Sequence, residues 1–271
     1  MYPYTLFLNI GFYEVFLALG VMAAILIFAK FSEKKKIPAG VHNLVLLNAV
    51  LTVTFGYFTS VLTQALYNML GGETEGYELT ESTGATFLGG LIGGAVFFIG
   101  FYFLYGKFSK KIRDGEHIRQ FPLVADIAAV CIPAAHAFGR LGCLMAGCCY
   151  GRVYEEPTRF TFAFPILSAD EEVLGYRYAL PVQLYEAIFL FVLTGVLAFL
   201  LARGIRAELS YYMVAYGVWR FFIEYLRGDE RGATVVDFLS PSQLISLLLI
   251  VGGVVLFTFQ FRYGLKRSEN A

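Results

Sequence analysis

Seven long blocks of apolar residues constrain this chain more than any other feature of its sequence. They lie near residues 10–31, 41–67, 86–106, 121–139, 180–202, 209–227 and 236–261. Each is close to the roughly 20 helical residues that cross the hydrocarbon core of a bilayer. Within lipid, backbone amides must find hydrogen-bond partners inside their own segment, which favours helices. We therefore predict an all-α membrane protein, a bundle of seven transmembrane helices.

Composition agrees with this class. Hydrophobic residues make up 58% of the chain, against roughly 45–50% in soluble domains. The net charge is zero, so bulk charge does not identify a partner. We expect membrane lipids as partners, with no nucleic acid and no cofactor. We also expect one domain over residues 1–271, in which the 140–179 loop forms an outward-facing cap.

Most cationic residues fall in alternate loops between the apolar blocks. Of the 21 Lys and Arg residues, 14 follow the first, third, fifth and seventh blocks, at positions 30, 34–36, 107, 110, 111, 113, 119, 203, 206, 262, 266 and 267. Cytoplasmic loops of membrane proteins carry such an excess of Lys and Arg. The pattern predicts that the N-terminus lies outside and the C-terminus lies in the cytoplasm.

The remaining seven cations are all arginines at the outward ends of the predicted helices. They are Arg140, Arg152, Arg159, Arg177, Arg220, Arg227 and Arg231. An arginine at the centre of a membrane helix costs about 2.5–3.5 kcal/mol on insertion scales, so it needs a partner. One interpretation is pairing with acids inside the bundle. The other is bidentate binding of an anion, most simply a phosphate.

Two predicted helices carry these arginines beside other polar residues. His136 and Arg140 are four residues apart and share a helical face, and a glycine-rich run from Gly139 to Gly151 follows. Arg220, Glu224 and Arg227 are spaced i, i+4, i+7, which predicts a charged stripe along the sixth helix.

Two further helix ends carry candidate residues. The fifth helix begins with Gln183 and Glu186 on one face, and Glu186 is a candidate counter-charge or general base. On the third helix, Gly89 and Gly90 fit either close helix packing or close approach of a ligand.

Four cysteines are present, of which Cys131 is expected in the core. Cys143, Cys148 and Cys149 lack a C-x-x-C spacing, and adjacent cysteines are awkward chelators, so we expect no metal. A disulfide on an oxidising outer face and three free thiols both remain open.

Three sequence elements carry a resemblance to a known family. Residues Gly139–Arg152 align with the pattern G-R-x-G-N-x-x-N-G-E-x-x-G-R and keep its glycines and arginines. Pro181–Glu186 follow P-x-Q-L-Y-E, and Arg220–Arg227 follow R-F-x-x-E-x-x-R. With these elements the chain resembles the bacterial prolipoprotein diacylglyceryl transferases, whose seven helices have the N-terminus outside. Tyr13, Asp126 and Ser240–Gln243 are similar to further family positions.

The chain departs from the family pattern at several polar positions. Leu88 stands where the family has a histidine, Cys143 replaces the signature asparagine, and Cys148 replaces the signature glutamate. No arginine near Tyr57 matches the family arginine of the second helix. These departures indicate a divergent branch of the family.

The resemblance implies transfer of the diacylglyceryl group from phosphatidylglycerol to the lipobox cysteine of a preprolipoprotein in the bacterial plasma membrane. The implied catalytic residues are Arg140, Arg220, Glu224, His136 and Glu186. The implied substrate-binding residues are Tyr13, Gly89, Gly90, Gly139, Gly142, Cys143, Gly147, Gly151, Arg152, Gln183, Tyr185 and Arg227. The general base stays open among His136, Glu186 and Glu224.

Two alternatives belong to other classes. One is a paralogous transferase that uses the same lipid with another acceptor. The other is a lipid-binding or lipid-moving protein that keeps the arginines and lacks a base. A transporter is disfavoured, because the charges cluster at one face instead of along a midplane path.

The charge pattern predicts that the 107–119 loop is cytoplasmic. A cysteine introduced at Lys110 should resist membrane-impermeant thiol reagents in intact cells and react after the cells are opened. Labelling from outside would overturn the predicted orientation.

Overall fold

The computed structural model describes residues 5–7, 10–70, 87–113, 115–167, 173–227 and 239–264. The described part is mostly helical. Its long helices are α1 (Phe12–Lys34), α2 (Ala39–Leu70), α3 (Phe87–Phe108), α4 (Glu116–Ala146), α5 (Val182–Ala202), α6 (Glu208–Ile223) and α7 (Pro241–Phe259).

Each helix lies at the position of one predicted apolar block. Six of them are long and apolar enough to span a membrane, and α6, with 16 residues, is the shorter one. The count of seven spans therefore stays a prediction. The predicted starts at 86 and 236–238 lie outside the described residues, as do Arg231, Lys266 and Arg267.

The chain divides into two compact units. One comprises residues 1–31 and 125–271, and the other comprises residues 32–124. Helices α1 and α4 each begin in one unit and end in the other. The predicted single domain stays a prediction.

In the unit of residues 32–124, glycines allow α2 and α3 to pack closely. A Cβ atom on Gly89 would lie 2.3 Å from the Thr63 hydroxyl, and one on Gly93 would lie 2.2 Å from the Thr59 hydroxyl. Buried Asn48 adds a hydrogen bond from its side-chain amide to the Phe98 carbonyl, at 2.8 Å. Small residues and a polar side chain thus hold this pair together, as is common in membrane helices.

In the other unit, α6 packs closely on α7. A Cβ atom on Gly217 would lie 2.9 Å from the Ser246 carbonyl oxygen, and one on Gly253 would lie 3.1 Å from the Ser210 carbonyl oxygen. Helix α1 contacts α4 in the same way, where Gly20 faces the Ala135 carbonyl. These contacts fix the helices that carry the candidate site.

The 140–179 segment corrects the all-α prediction. Residues Val153–Tyr154 (β3), Phe162–Leu167 (β4) and Val173–Ala179 (β5) form an antiparallel sheet in the order β3-β5-β4. The prediction was wrong here because the six apolar residues of β4 are too few to form a membrane helix, and they pair instead with β5. A second pair, β1 (Thr5–Phe7) and β2 (Ile10–Gly11), precedes α1.

Two helix ends also differ from the sequence-based prediction. Helix α4 continues through the glycine-rich run to Ala146 instead of ending near 139. Helix α6 ends at Ile223, a 3₁₀ turn follows over Glu224–Leu226, and Arg227 is extended. The charged stripe over Arg220, Glu224 and Arg227 is therefore not a single helical face. The extended backbone is set by tertiary pairing, because Arg152 donates its N–H to the Leu226 carbonyl at 3.0 Å.

A buried acidic pair ties α4 to the start of α6. Asp126 and Glu208 are both buried, and Arg206 donates from Nε to the Asp126 carboxylate at 2.7 Å. Arg206, one of the cations that predicted the orientation, thus also neutralises a buried acid. This contact agrees with a structural role for Asp126.

The α6–α7 contact predicts that Gly217→Ala destabilises the protein by about 1–3 kcal/mol, because the new methyl group overlaps backbone atoms. Gly195→Ala on α5 is the matched control, since a Cβ atom there has no neighbour within 4 Å. Thermal unfolding in detergent should show a lower midpoint for the first variant only. Equal midpoints would contradict the close packing of α6 on α7.

Candidate active site

The buried carboxylate of Glu186 lies at the centre of the candidate site. It is on the first turns of α5 and is 1% exposed. Arg140 of α4 lies with Nε 2.8 Å from Oε2, and Tyr216 of α6 donates its hydroxyl to Oε1 at 3.1 Å. One carboxylate thus joins three helices through charge and hydrogen bonds.

His136 lies one turn before Arg140 on α4 and approaches the same carboxylate. Its Nε2 atom is 3.8 Å from Oε1 of Glu186, and its ring meets that of Tyr216 edge-on with centroids 5.4 Å apart. His136 is partly exposed, whereas Glu186 is fully buried. A carboxylate in this position can orient an imidazole and stabilise its protonated form.

A second ion pair connects α6 to the cap of α7. Arg220 lies with Nη1 2.8 Å from Oε2 of Glu224 and donates from Nη2 to the Ser242 hydroxyl at 2.9 Å. The Ser240 hydroxyl donates to Oε1 of Glu224 at 2.9 Å. Ser240 and Gln243 also form a capping box at the start of α7. The start of α7 therefore fixes the position of Arg220.

Arg140 and Arg220 belong to one charged group despite their separation in sequence. Arg220 interacts electrostatically with Glu186 as well as with Glu224. We name Arg140, Glu186, Arg220 and Glu224 the arginine–carboxylate cluster. Two cations and two anions balance, which agrees with pairing inside the bundle. Each guanidinium has five N–H donors, however, and the ion pair between Arg140 and Glu186 is made at Nε.

The end of α4 has the hydrogen bonds of a Schellman motif. Cys148 donates its N–H to the Cys143 carbonyl at 3.1 Å, and Gly147 donates to the Leu144 carbonyl at 3.2 Å. Gly147 has a φ of 72°, the left-handed conformation that this motif requires. In such motifs the side chains at the Cys143 and Cys148 positions commonly meet.

Cys149 completes a cluster of thiols beside this turn. It has a φ of 61°, and the sulfur atoms of Cys143, Cys148 and Cys149 all lie within 4.8 Å of one another. We name these residues the thiol cluster. All four cysteines of the chain are free thiols in the structure. Sequence spacing did not predict this convergence, because the helix cap folds the chain back between the first and last cysteine.

Charge and hydrogen bonds polarise the thiol cluster. Hydrogen bonds from the Cys143 and Cys148 thiols, together with the nearby guanidinium groups of Arg140 and Arg227, lower the pKa of Cys149 to about 2. The same hydrogen bonds raise the pKa of Cys148. The cluster thus favours negative charge on one sulfur atom.

The signature glycines have different roles. A Cβ atom on Gly142 would lie 3.1 Å from the Tyr13 ring, so Gly142 brings α4 close to α1. Gly151 packs against the Leu226 carbonyl, where a Cβ atom would lie at 2.5 Å. A Cβ atom on Gly139 would have no neighbour within 4 Å. Gly139 therefore leaves open space beside Arg140, whereas the other two glycines are explained by packing.

The start of α5 connects the two clusters. Gln183 is fully buried and donates from its side-chain amide to the Cys148 carbonyl. Tyr185 donates its hydroxyl to the Phe160 carbonyl at 3.1 Å, which holds the segment before β4. The side chain of Arg152 is exposed, and its backbone pairs with Leu226 and Leu180.

Gly89 and Gly90, the glycines of α3 that were predicted to bind substrate, have packing contacts with α2. They lie on α3 in the unit of residues 32–124, where their contacts with Thr63 and Ser60 of α2 account for the absence of side chains. Leu88, at the position of the family histidine, is on the first turn of the same helix.

Two polar partners were missed by the sequence analysis. Tyr216 binds Glu186 and Ser242 binds Arg220. Tyr216 lies four residues before Arg220 on α6, a spacing that places both on one face and was a usable signal. Ser242 carried no such signal, because its contact depends on how α7 packs.

Comparison with known proteins agrees with this geometry. Residues 4–259 match the family model for prolipoprotein diacylglyceryl transferase. The chain is 30% identical to phosphatidylglycerol--prolipoprotein diacylglyceryl transferase 2 of Clostridium perfringens, over 96% of this chain and 95% of that protein. It is 31% identical to phosphatidylglycerol--prolipoprotein diacylglyceryl transferase of Clostridium tetani, over 92% of this chain and 93% of that protein. The chain therefore belongs to the prolipoprotein diacylglyceryl transferase family.

Proposed function

We propose that this protein transfers the diacylglyceryl group of phosphatidylglycerol to the lipobox cysteine of a preprolipoprotein. The observation that carries the proposal is the arginine–carboxylate cluster, in which Arg140 pairs with the buried carboxylate of Glu186 and Arg220 pairs with Glu224. Its members come from three elements that match the family signature. The names of the relatives supply the substrate pair.

The chemistry is a displacement at a methylene carbon of the lipid. The acceptor sulfur attacks that carbon, the carbon–oxygen bond to the phosphate breaks, and glycerol phosphate leaves with the electron pair. Negative charge grows on the leaving phosphate, and preorganised donors at that position lower the barrier. Arg140 and Arg220 are held in place by Glu186, Glu224 and Ser242, so their donors need little reorganisation.

Lipid enters beside Arg140 in this proposal. The open space at Gly139 lies one residue from that arginine, and glycine there lets a headgroup approach the helix backbone. The charge pattern of the loops supports a position of this end of α4 on the outer side of the bacterial plasma membrane. Phosphatidylglycerol of the outer leaflet then meets the cluster from the side.

His136 is the best-placed general base of the three candidates. Glu186 and Glu224 each already bind an arginine at 2.8 Å. His136 has no ion pair that short, and Glu186 lies 3.8 Å from its ring, where it can stabilise the imidazolium. The acceptor thiol must lose its proton, because the thiolate is the nucleophile.

A reconstituted assay tests the proposed function. Purified protein with phosphatidylglycerol and a lipobox peptide should release glycerol phosphate and lipidate the peptide. Arg140→Ala and Arg220→Ala should each lower the rate by roughly 10²–10³-fold, the effect of removing one transition-state donor. Arg140→Lys should be nearly as slow, because an ammonium group cannot reproduce the guanidinium fork.

Arg159→Ala is the matched control for these variants. Arg159 is exposed, and its guanidinium lies over the Phe160 ring, 5.9 Å from the centroid. It should retain the wild-type rate. Tight lipid binding by the wild type, with no glycerol phosphate released to any thiol acceptor, would instead indicate a lipid-binding protein and refute the transferase.

Replacement of His136 separates the candidate bases. His136→Ala should cause a large loss of rate and should change the pH dependence of turnover, because the proton acceptor is removed. The measurement is the pH profile of kcat for the two proteins under saturating lipid. A small loss with an unchanged profile would assign the base to Glu186 or Glu224.

A further inference from the structure

We propose that Cys143, Cys148 and Cys149 bind a zinc ion whose fourth coordination position receives the acceptor thiol. The inference rests on the proposed function and names how that thiol is activated. Cys143 and Cys148 stand at two positions where the chain departs from the family signature. The site is therefore a property of this chain and not of the signature.

The geometry of the thiol cluster fits a zinc ion after a small adjustment. Zn–S bonds are about 2.3 Å, so the sulfur atoms of a tetrahedral site lie about 3.8 Å apart. The three sulfur atoms already lie within 4.8 Å of one another. Each pair has to close by at most about 1 Å, which rotation of exposed cysteine side chains can supply.

The backbone holds the three ligands before any ion binds. The Schellman bonds at the end of α4 bring Cys143 and Cys148 together. Buried Gln183 binds the Cys148 carbonyl and fixes the turn from the side of α5. Cys149 adopts a left-handed φ, which a cysteine rarely does without a compensating interaction.

The charge of the surroundings also suits this site. Three thiolates and one Zn²⁺ carry a net charge of −1, and binding a fourth thiolate makes it −2. Arg140 and Arg227 both interact electrostatically with Cys149 and offset this charge. Thiolate ligands favour zinc and other soft ions over magnesium or calcium.

Three protein ligands leave one position open, as in catalytic zinc sites. The acceptor sulfur binds there and its S–H bond breaks, because zinc-bound thiols are deprotonated. The proton passes through solvent to His136, the general base of the proposed function. The zinc-bound sulfur then forms the bond to the lipid methylene carbon. The carbon–oxygen bond breaks, and glycerol phosphate leaves with that electron pair. No oxidant or reductant is needed.

The position of the thiol cluster on α4 places the nucleophile beside the leaving group. His136, Arg140 and Cys143 are spaced i, i+4, i+7, so they lie along one face of α4. Side chains three or four residues apart on a helix are about 5–6 Å apart at Cβ. A sulfur bound at Cys143 would therefore lie about one helical turn from the guanidinium that meets the phosphate.

Metal binding can be measured without turnover. Reduced, chelator-treated full-length protein in detergent is titrated with Co²⁺, whose absorption reports tetrahedral geometry and thiolate ligands, and then with Zn²⁺ in competition. We expect one ion per chain. Cys143→Ser, Cys148→Ser and Cys149→Ser should each weaken binding by about 100-fold. Cys131→Ser is the matched control, because Cys131 is buried elsewhere on α4, and it should bind like the wild type.

The acceptor is tested on the same samples. Adding a lipobox peptide should intensify the thiolate-to-cobalt band, and a Cys→Ser peptide should leave it unchanged. Three results would each overturn the zinc site. They are no metal binding by the wild type, binding by the three cluster variants that equals that of the wild type, and a disulfide within the thiol cluster in protein isolated from membranes. If the cobalt absorption does not change when the lipobox peptide is added, the proposed binding of the acceptor thiol to the metal is wrong.

Activity then separates the two proposals. Transfer that persists at the wild-type rate after chelation, and in the serine variants, would refute zinc activation while the transferase stands. Zinc binding without transfer to any thiol would refute the transferase while the metal site stands. Loss of transfer on chelation, restored by Zn²⁺, is the result expected if both hold.

Discussion

The buried carboxylate of Glu186 is the interaction on which the rest of the site depends. A charge without a partner in the interior of a membrane protein is expensive, so Glu186 is stable as an anion only with Arg140 beside it. Arg140, likewise, is stable as a buried cation only with Glu186 beside it. Because Tyr216 and His136 both approach Oε1 of the same carboxylate, this group also fixes where α4, α5 and α6 meet. Packing glycines such as Gly217 then hold α7 against this group.

This arrangement reconciles the two interpretations of the arginines. The ion pairs of Arg140 and Arg220 neutralise charges that would be costly inside the membrane. They also orient the two guanidinium groups, each of which has five N–H donors. A clamp for a phosphate needs cations that are already desolvated and already oriented. Pairing with buried acids is therefore compatible with the proposed phosphate clamp.

The cysteines show how a local backbone motif can create chemistry that spacing conceals. Chelation arguments from sequence assume that ligands approach from a loop or from successive turns. Here a helix ends in a left-handed glycine, Gly147, and reverses direction, so residues five and six positions apart bring their sulfur atoms together. The cluster lies one turn beyond Arg140 on the same helix. The two cysteines that depart from the family signature, Cys143 and Cys148, thus lie together in the thiol cluster.

The sequence by itself determined the membrane class, the positions of the seven helices and the residues that carry charge, because apolar length and i, i+4 spacing are local properties. It did not determine the sheet at 153–179 or the end of α6 at Ile223. Only the tertiary structure decided that Arg140 pairs with Glu186, and that Ser242 supports Arg220. These contacts join residues far apart in the chain, and their formation depends on the packing of whole helices rather than on local propensity.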